Sequence, residues 1–225
     1  MTIAAQPHHG SDSSLTVGAV LLAAGSASRM GHRPKSLLAL DGVPLIRRQL
    51  MALSDAGIDE VVVLGHYAER IEQAIKAFAV TLVRNPDPDA GQVSSLRLGL
   101  QVLSPKTDAV LVALADQPLI NSQDITDLIG AYALRPAHTQ VVQPTVDGLP
   151  GNPVMFTLEV RTQILASSEH TGCRQWQAAH PEQVHAWVSA NLHYRADVDT
   201  PEDIQALAKR TGQSLIWPAD LHPPP

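Results

Sequence analysis

Val17 to Lys35 reads V-G-A-V-L-L-A-A-G-S-A-S-R-M-G-H-R-P-K. Its first eight residues form a continuous apolar run, the pattern of a strand covered on both faces. They are far short of the ~20 apolar residues a membrane-spanning helix needs. The run also lacks the basic flank of a signal peptide. A loop of small residues comes next, and it carries Arg29, Gly31 and Lys35. Small residues let backbone N–H groups approach a phosphate closely. Arg29 can grip phosphate oxygens as a fork and Lys35 as a point charge. Neither G-x-x-x-x-G-K-[ST] nor G-x-G-x-x-G occurs, so the loop is neither a P-loop nor a dinucleotide fingerprint. On these residues alone, a flexible surface loop with solvated cations is also open.

Outward from this stretch, strand and helix patterns alternate. Val43–Ala56, Tyr67–Ala77, Gly91–Leu103 and Ser122–Leu134 read as helices. Val61–Leu64, Val80–Val83, Ala109–Ala115 and Gln140–Pro144 read as strands. This predicts a Rossmann-like α/β fold, a mostly parallel sheet with helices on both faces. Ligands then bind beyond the carboxyl ends of the strands, where Ala24–Lys35, Asn85–Ser95 and Asp116–Pro118 fall. After Gly148 the alternation weakens to a short strand at Val154–Phe156 and short helices at Val160–Ala166 and Gly172–Ala179. Thr200–Thr211 is a clear helix, with Thr200 as cap, Pro201 in the first turn and two acids behind it.

The 225 residues suit one domain, assigned to 17–212. Residues 1–16 and 213–225 read as tails, the first polar and the second broken by prolines. A net charge of −6 argues against nucleic acid as partner. One cysteine excludes an internal disulfide and suits a reducing cytoplasm. With no His obviously paired, Cys173 reads as a filler. The ten histidines form no metal-ligand spacing and read as surface or core residues.

Three further motifs matter, and the first two sit at predicted ligand-binding ends. A-D-Q-P, Ala115–Pro118, puts a carboxylate where Mg²⁺ would suit it, although Asp and Pro also simply make turns. G-Q-V-S-S-L, Gly91–Leu96, opens a helix whose N-terminus favours anions and polar ligand edges, or merely carries two serines. G-N-P-V-M-F, Gly151–Phe156, is otherwise a turn into a strand.

Leu22–Gly31 resembles the signature loop of the MobA-like nucleotidyltransferases, L-A-[AG]-G-x-S-x-R-M-G followed by Lys, with Ala27 in place of its Ser. The likeness runs from about Val17 to Thr211. It implies that Leu22, Ala23, Ala24, Gly25 and Ser26 line a nucleotide, and that Arg29 and Lys35 hold its triphosphate as catalytic residues. It implies Asp116 and Asp199 as Mg²⁺ ligands, the second from D-V-D-T-P-E-D, with Asp197 the weaker candidate. Gly151, Asn152 and Pro153 would face the acceptor. The segment Gly91–Leu96 resembles the branch that cytidylylates the molybdenum cofactor more than the guanylyl branch with its G-P-L-A-G, and would bring Ser94 and Ser95 near the base or ribose. That branch often carries G-D-x-G-A-R, where this chain has S-E-H-T-G-C-R with Gly172 and Arg174 aligned. The resemblance thus implies transfer of CMP from CTP to the terminal phosphate of the molybdenum cofactor, with pyrophosphate released and a molybdoenzyme or its chaperone as recipient. GTP or a sugar phosphate as substrate, and a non-catalytic escort of the finished cofactor, are the alternatives.

Overall fold

The computed structural model describes residues 15–221. The polar segment 1–14 and the prolines after 221 lie outside the described residues. Strand β1 (Val17–Ala23) is buried along its whole length. A hairpin comes after it, β2 (Ala39–Leu40) and β3 (Val43–Pro44), then α1 (Leu45–Asp55), β4 (Asp59–Leu64) and α2 (Ala68–Ile75). Next come β5 (Thr81–Arg84), α3 (Gln92–Val102), β6 (Ala109–Leu114), α4 (Ser122–Ala133), β7 (Val141–Val146) and β8 (Leu149–Pro150). The chain continues through β9 (Val154–Thr157), α5 (Leu158–Ala166), α6 (Cys173–Ala179), β10 (Val184–Val188), α7 (Pro201–Thr211) and β11 (Leu215–Ile216).

The main sheet runs β10-β7-β9-β6-β1-β4-β5, with β8 paired to β7. Its pairings are parallel except those of β9 and β8, which run antiparallel to their neighbours. The parallel α/β expectation therefore holds, with one reversed strand inserted. Successive β1 residues face opposite layers, as the period of two requires. Ala19 and Leu21 join Ile46, Leu50, Ile71, Ile125 and Leu128, from α1, α2 and α4. Val20 and Leu22 join Leu96, Leu100, Val160, Ile164 and Trp176, from α3, α5 and α6. Burying one such aliphatic side chain is worth ~1.5–3 kcal/mol. Gly99 lets α3 lie close on the sheet, since a Cβ there would press on Val20 and Val63.

Three local expectations change. The helix predicted from Val43 begins at Leu45, because Asp41 and Gly42, both left-handed (φ 53° and 77°), turn β2 into β3. Val184–Val188, to which the sequence reading gives no element, pairs with β7 at the sheet's edge. The C-terminal tail from 213 is in part a packed element: β11 pairs with β2, and Leu215 and Leu221 are buried. Two apolar residues are enough for so short a strand and too few to show a period. No helix among the described residues is long and apolar enough to cross a membrane.

Candidate active site

Beyond β1 the chain forms two 3-10 turns. Ala27, left-handed at φ 51°, opens the first, and its carbonyl accepts from the amides of Met30 (2.9 Å) and His32 (3.1 Å). Met30 is thereby turned inward and buried, while Arg29 points out. Lys35 begins the second turn and reaches back toward the strand ends. The loop rests on its neighbours. Tyr67 Oη donates to the Ser26 carbonyl at 3.0 Å. At Gly65 a Cβ would sit 2.8 Å from both the Ala24 carbonyl and Pro88, so only glycine permits that contact.

Asp116 leaves the end of β6. The amide of Val198 donates to its carbonyl at 3.2 Å, bringing Asp197–Asp199 alongside. Asp203 holds the amides of Asp199 (2.9 Å) and Thr200 (2.8 Å), and Thr200 caps α7 in return. The cap therefore leaves the Asp199 carboxylate free to face the loop.

The charged side chains converge there. Lys35 Nζ donates to Asp116 Oδ2 and to Asp199 Oδ1, each at 2.6 Å. Arg29 Nη2 donates to Asp199 Oδ2 at 3.1 Å. Burial works to lower the pKa of the Lys35 ammonium, but the charge and hydrogen bond of Asp116, with those of Asp199, outweigh it and the net shift is upward. Burial likewise pushes Asp199 up, and the contacts of Lys35 and Arg29 more than reverse it. Asp197 is open to solvent through the cleft. Even so, the surrounding protein, then the charges of Asp116 and Asp199, hold its carboxyl at about 6 against the pull of Lys35 and Gln117.

The donor set fits a hard divalent ion. Asp116 Oδ1 is buried and lacks a hydrogen-bond partner, a spare acceptor beside a second carboxylate. Among the described residues no group of three or more His, Cys, Asp or Glu side chains encloses an ion. Mg²⁺ takes one or two carboxylates and completes its shell with waters and substrate phosphates. Asp116 and Asp199 would hold it, displacing the Lys35 ammonium that now sits between them.

A cleft of about 790 Å³ opens over this cluster. Leu22, Ala23, Ala24, Gly25, Ser26, Arg29, Lys35, Asp116, Asp197 and Asp199 line its centre. A Cβ at Gly25 would meet no protein atom, so the backbone there is open from the cleft side. His66 and Tyr67 beyond β4, Asp89 and Gln92 at the start of α3, Gln143, Gly151 and Asn152 from β7 and the approach to β9, and Arg174 and Gln177 of α6 line the cleft as well. Strand ends were the available signal for His66 and Tyr67, which lie directly beyond β4.

Three sequence candidates stand differently from the rest. The Ser94 and Ser95 hydroxyls accept from Asn85 Nδ2 at 2.8 and 2.9 Å, and Ser94 Oγ also donates to the Gly91 carbonyl. They fasten the start of α3; Ser95 lines the cleft and Ser94 does not. Pro153, behind a cis bond from Asn152, is buried and off the lining. At Gly151 a Cβ would meet the Tyr194 carbonyl at 2.6 Å, so this wall depends on glycine. Cys173 lines the cleft, but burial pushes its thiol up to about 12, which keeps it protonated.

The sequence profile of the MobA-like NTP transferase domain matches residues 19–184. The bifunctional protein GlmU of Acetivibrio thermocellus is 35% identical over 116 residues, which cover 51% of this chain and 25% of GlmU. The chain thus matches only a part of that relative's length. A nucleotidyl transferase from Methanothermobacter thermautotroptrophicus superimposes with a TM-score of 0.71 at 22% identity, over 87% of this chain and 97% of that one. Rv0371c of Mycobacterium tuberculosis H37Rv, in complex with manganese, gives 0.68 at 21% identity, over 86% and 98%. These two likenesses speak for the fold. The profile spans most of the chain, from β1 through the loop carrying Arg29 and Lys35 and Asp116 to the start of β10, and on that match the chain belongs to the MobA-like NTP transferase domain family.

Proposed function

We propose that this protein transfers a nucleoside monophosphate from an NTP to a terminal phosphate of its acceptor, and that the pair is CTP and the molybdenum cofactor. The observation that carries the transferase reading is one ammonium, Lys35, held at 2.6 Å by two carboxylates from distant segments, at the centre of an open cleft. Such a cluster can exchange partners when a triphosphate arrives. Lys35 then turns to phosphate oxygens, and Arg29, already exposed, joins it. Asp116 and Asp199 would hold Mg²⁺, which would supply charge neutralisation at the phosphates. An oxygen of the acceptor phosphate attacks the α-phosphorus. A new P–O bond forms, the bond to the β-phosphate's bridging oxygen breaks, and pyrophosphate leaves with that electron pair. No covalent enzyme intermediate is required, since positioning and charge stabilisation can supply the acceleration.

The preference for CTP rests on the segment Gly91–Leu96. Asn85, Ser94 and Ser95 brace one another there, and with them the loop from Asp87 to Gly91 that borders the cleft. A site whose polar groups match one base leaves buried groups unpaired with another, at roughly 1–3 kcal/mol each. A preference of about tenfold to a few hundredfold is expected on that basis. The test is kcat/KM for CTP and for GTP, with Mg²⁺ and the same molybdenum-cofactor acceptor. Equal values, or a preference for GTP, would overturn the cytidylyl assignment and leave the transferase reading standing.

A further inference from the structure

The family match ends at residue 184, yet the phosphate loop is held from outside by the chain beyond it. Met30, Leu38, Leu40, Leu45, Val198, Leu207 and Leu215 form a third, small core, with Trp217 packed against it. This core joins three things: the loop carrying Arg29 and Lys35, the residue between Asp197 and Asp199, and the C-terminal helix α7. From α7 the chain returns to the loop. Leu215 and Ile216 pair with Leu40 and Ala39, a few residues beyond Lys35. Trp217 then lies under Arg33, whose guanidinium carbon is 4.2 Å from the ring centroid. Arg33 also donates through Nε to the Met30 carbonyl at 3.0 Å and through Nη1 to the Leu221 carbonyl at 3.4 Å. Asp220 pairs with Arg70 of α2 at 3.5 Å.

Arg33 stands between Arg29 and Lys35 in sequence, but neither it nor Trp217 lines the cleft. Its guanidinium ties the loop, at the Met30 carbonyl, to Trp217 and the Leu221 carbonyl of the C-terminal segment. The loop needs such an anchor. Ala27, Gly31 and His32 all have positive φ, and two of them carry side chains. A loop of that kind persists only when its surroundings over-determine it. Within the loop the amides of Met30 and His32 bond the Ala27 carbonyl, and the C-terminal segment adds its contacts from outside.

We propose that Leu215–Leu221 is a strap that sets the position of the phosphate loop, with Arg33 and Trp217 as its positioning residues. The strap's effect on nucleotide binding rests on the transferase reading; its effect on the loop does not. The test compares Trp217→Ala, Trp217→Phe and Arg33→Met with the wild-type full chain, by hydrogen exchange without nucleotide and by calorimetric titration with MgCTP and MgGTP. The amides of Met30, His32, Leu37 and Leu38, all bonded within the loop, are expected to exchange about tenfold faster in Trp217→Ala and Arg33→Met. Amides of β1 are expected to keep the wild-type rate. Trp217→Phe, which keeps an aromatic face under the guanidinium, is expected to recover most of the protection. MgCTP affinity is expected to fall about five- to tenfold in the first and third variants, in step with the loop. Unchanged loop exchange in both variants would overturn the strap, as would an equal rise in the loop and β1, which marks general destabilisation. A wild-type chain that binds neither nucleotide would count against the transferase reading, and loop exchange would still decide the strap.

Discussion

The two ends of the main sheet each carry a hollow and a half-buried carboxylate, and they are built differently. At the carboxyl end of β1 and β6 the cleft is about 790 Å³, and Asp116 and Asp199 share Lys35. At the opposite end, where β4 begins, a hollow of about 440 Å³ is lined by Asp59, Glu60, Phe78, Val102, Thr107 and their neighbours, with no Lys, Arg or His. Burial, and then the charge of Asp59, push Glu60 up to about 7, and its Oε1 has no hydrogen-bond partner. A hollow and a shifted carboxyl thus occur at both ends. Among the described residues, convergent opposite charges occur at only one, the end where parallel strands run out and helices α2 and α3 begin with their positive poles. Under the proposed function, chemistry belongs to the paired end and a stability cost to the other.

The largest test of that contrast is removal of the cations. Lys35→Ala and Arg29→Ala are each expected to lower turnover by about 10²–10³ with the melting temperature little changed, since under the proposed mechanism each would supply a charge to the transferred phosphate. Wild-type kinetics in both would detach the loop from the chemistry.

Next comes the metal. Asp116→Asn and Asp199→Asn should each raise the Mg²⁺ needed for half-maximal activity by at least ~10–100-fold, the range seen even for indirect metal contacts. Activity should vanish with EDTA and return with Mg²⁺. Lys35→Met removes the ammonium that competes for these carboxylates, so Mn²⁺ binding without nucleotide, followed by electron spin resonance, should tighten. Unchanged or weaker Mn²⁺ binding in that variant would show that the ammonium and the ion do not share a place.

The smallest effect belongs to the other end. Glu60 binds its proton more tightly folded than unfolded, with its pKa raised from 4.5 to about 7. Its contribution to stability is therefore complete below about 4.5 and is lost as pH rises through about 7. Glu60→Gln fixes the neutral form. Against the wild type it should be level at pH 4 and more stable at pH 8, by on the order of 1–2 kcal/mol after allowance for solvent screening. Urea unfolding at the two pH values measures it, and activity should stay within about twofold. A loss of activity comparable to that of Lys35→Ala would erase the distinction between the two ends.

How much the sequence disclosed depends on how local each signal is. The unbroken apolar run of β1 announced burial on both faces, and T-P-E-D announced the cap of α7, because both are written in neighbouring residues. The pairing of Lys35 with Asp116 and Asp199 spans 81 and 164 positions. Nothing local encodes it, and only the family resemblance drew those residues together. The reversal of β9 was hidden because a four-residue buried strand reads the same in either direction. At the sheet's edge, β10 has no fully buried residue and so no clear alternation. Ser94 and Ser95 were visible as hydroxyls at a helix start, but their partner Asn85 arrives from the end of β5, which the helix pattern cannot reveal. Pro153 marked the wall of the cleft and not its lining.

Under the proposed function, the paired-charge end performs nucleotidyl transfer. Pyrophosphate release measures it most directly, with Mg²⁺, each of the four NTPs in turn, and the molybdenum cofactor present or absent. Release that requires both the cofactor and an NTP, fastest with CTP, is the result expected. Binding of the cofactor with no pyrophosphate released from any NTP would contradict it and favour a non-catalytic escort.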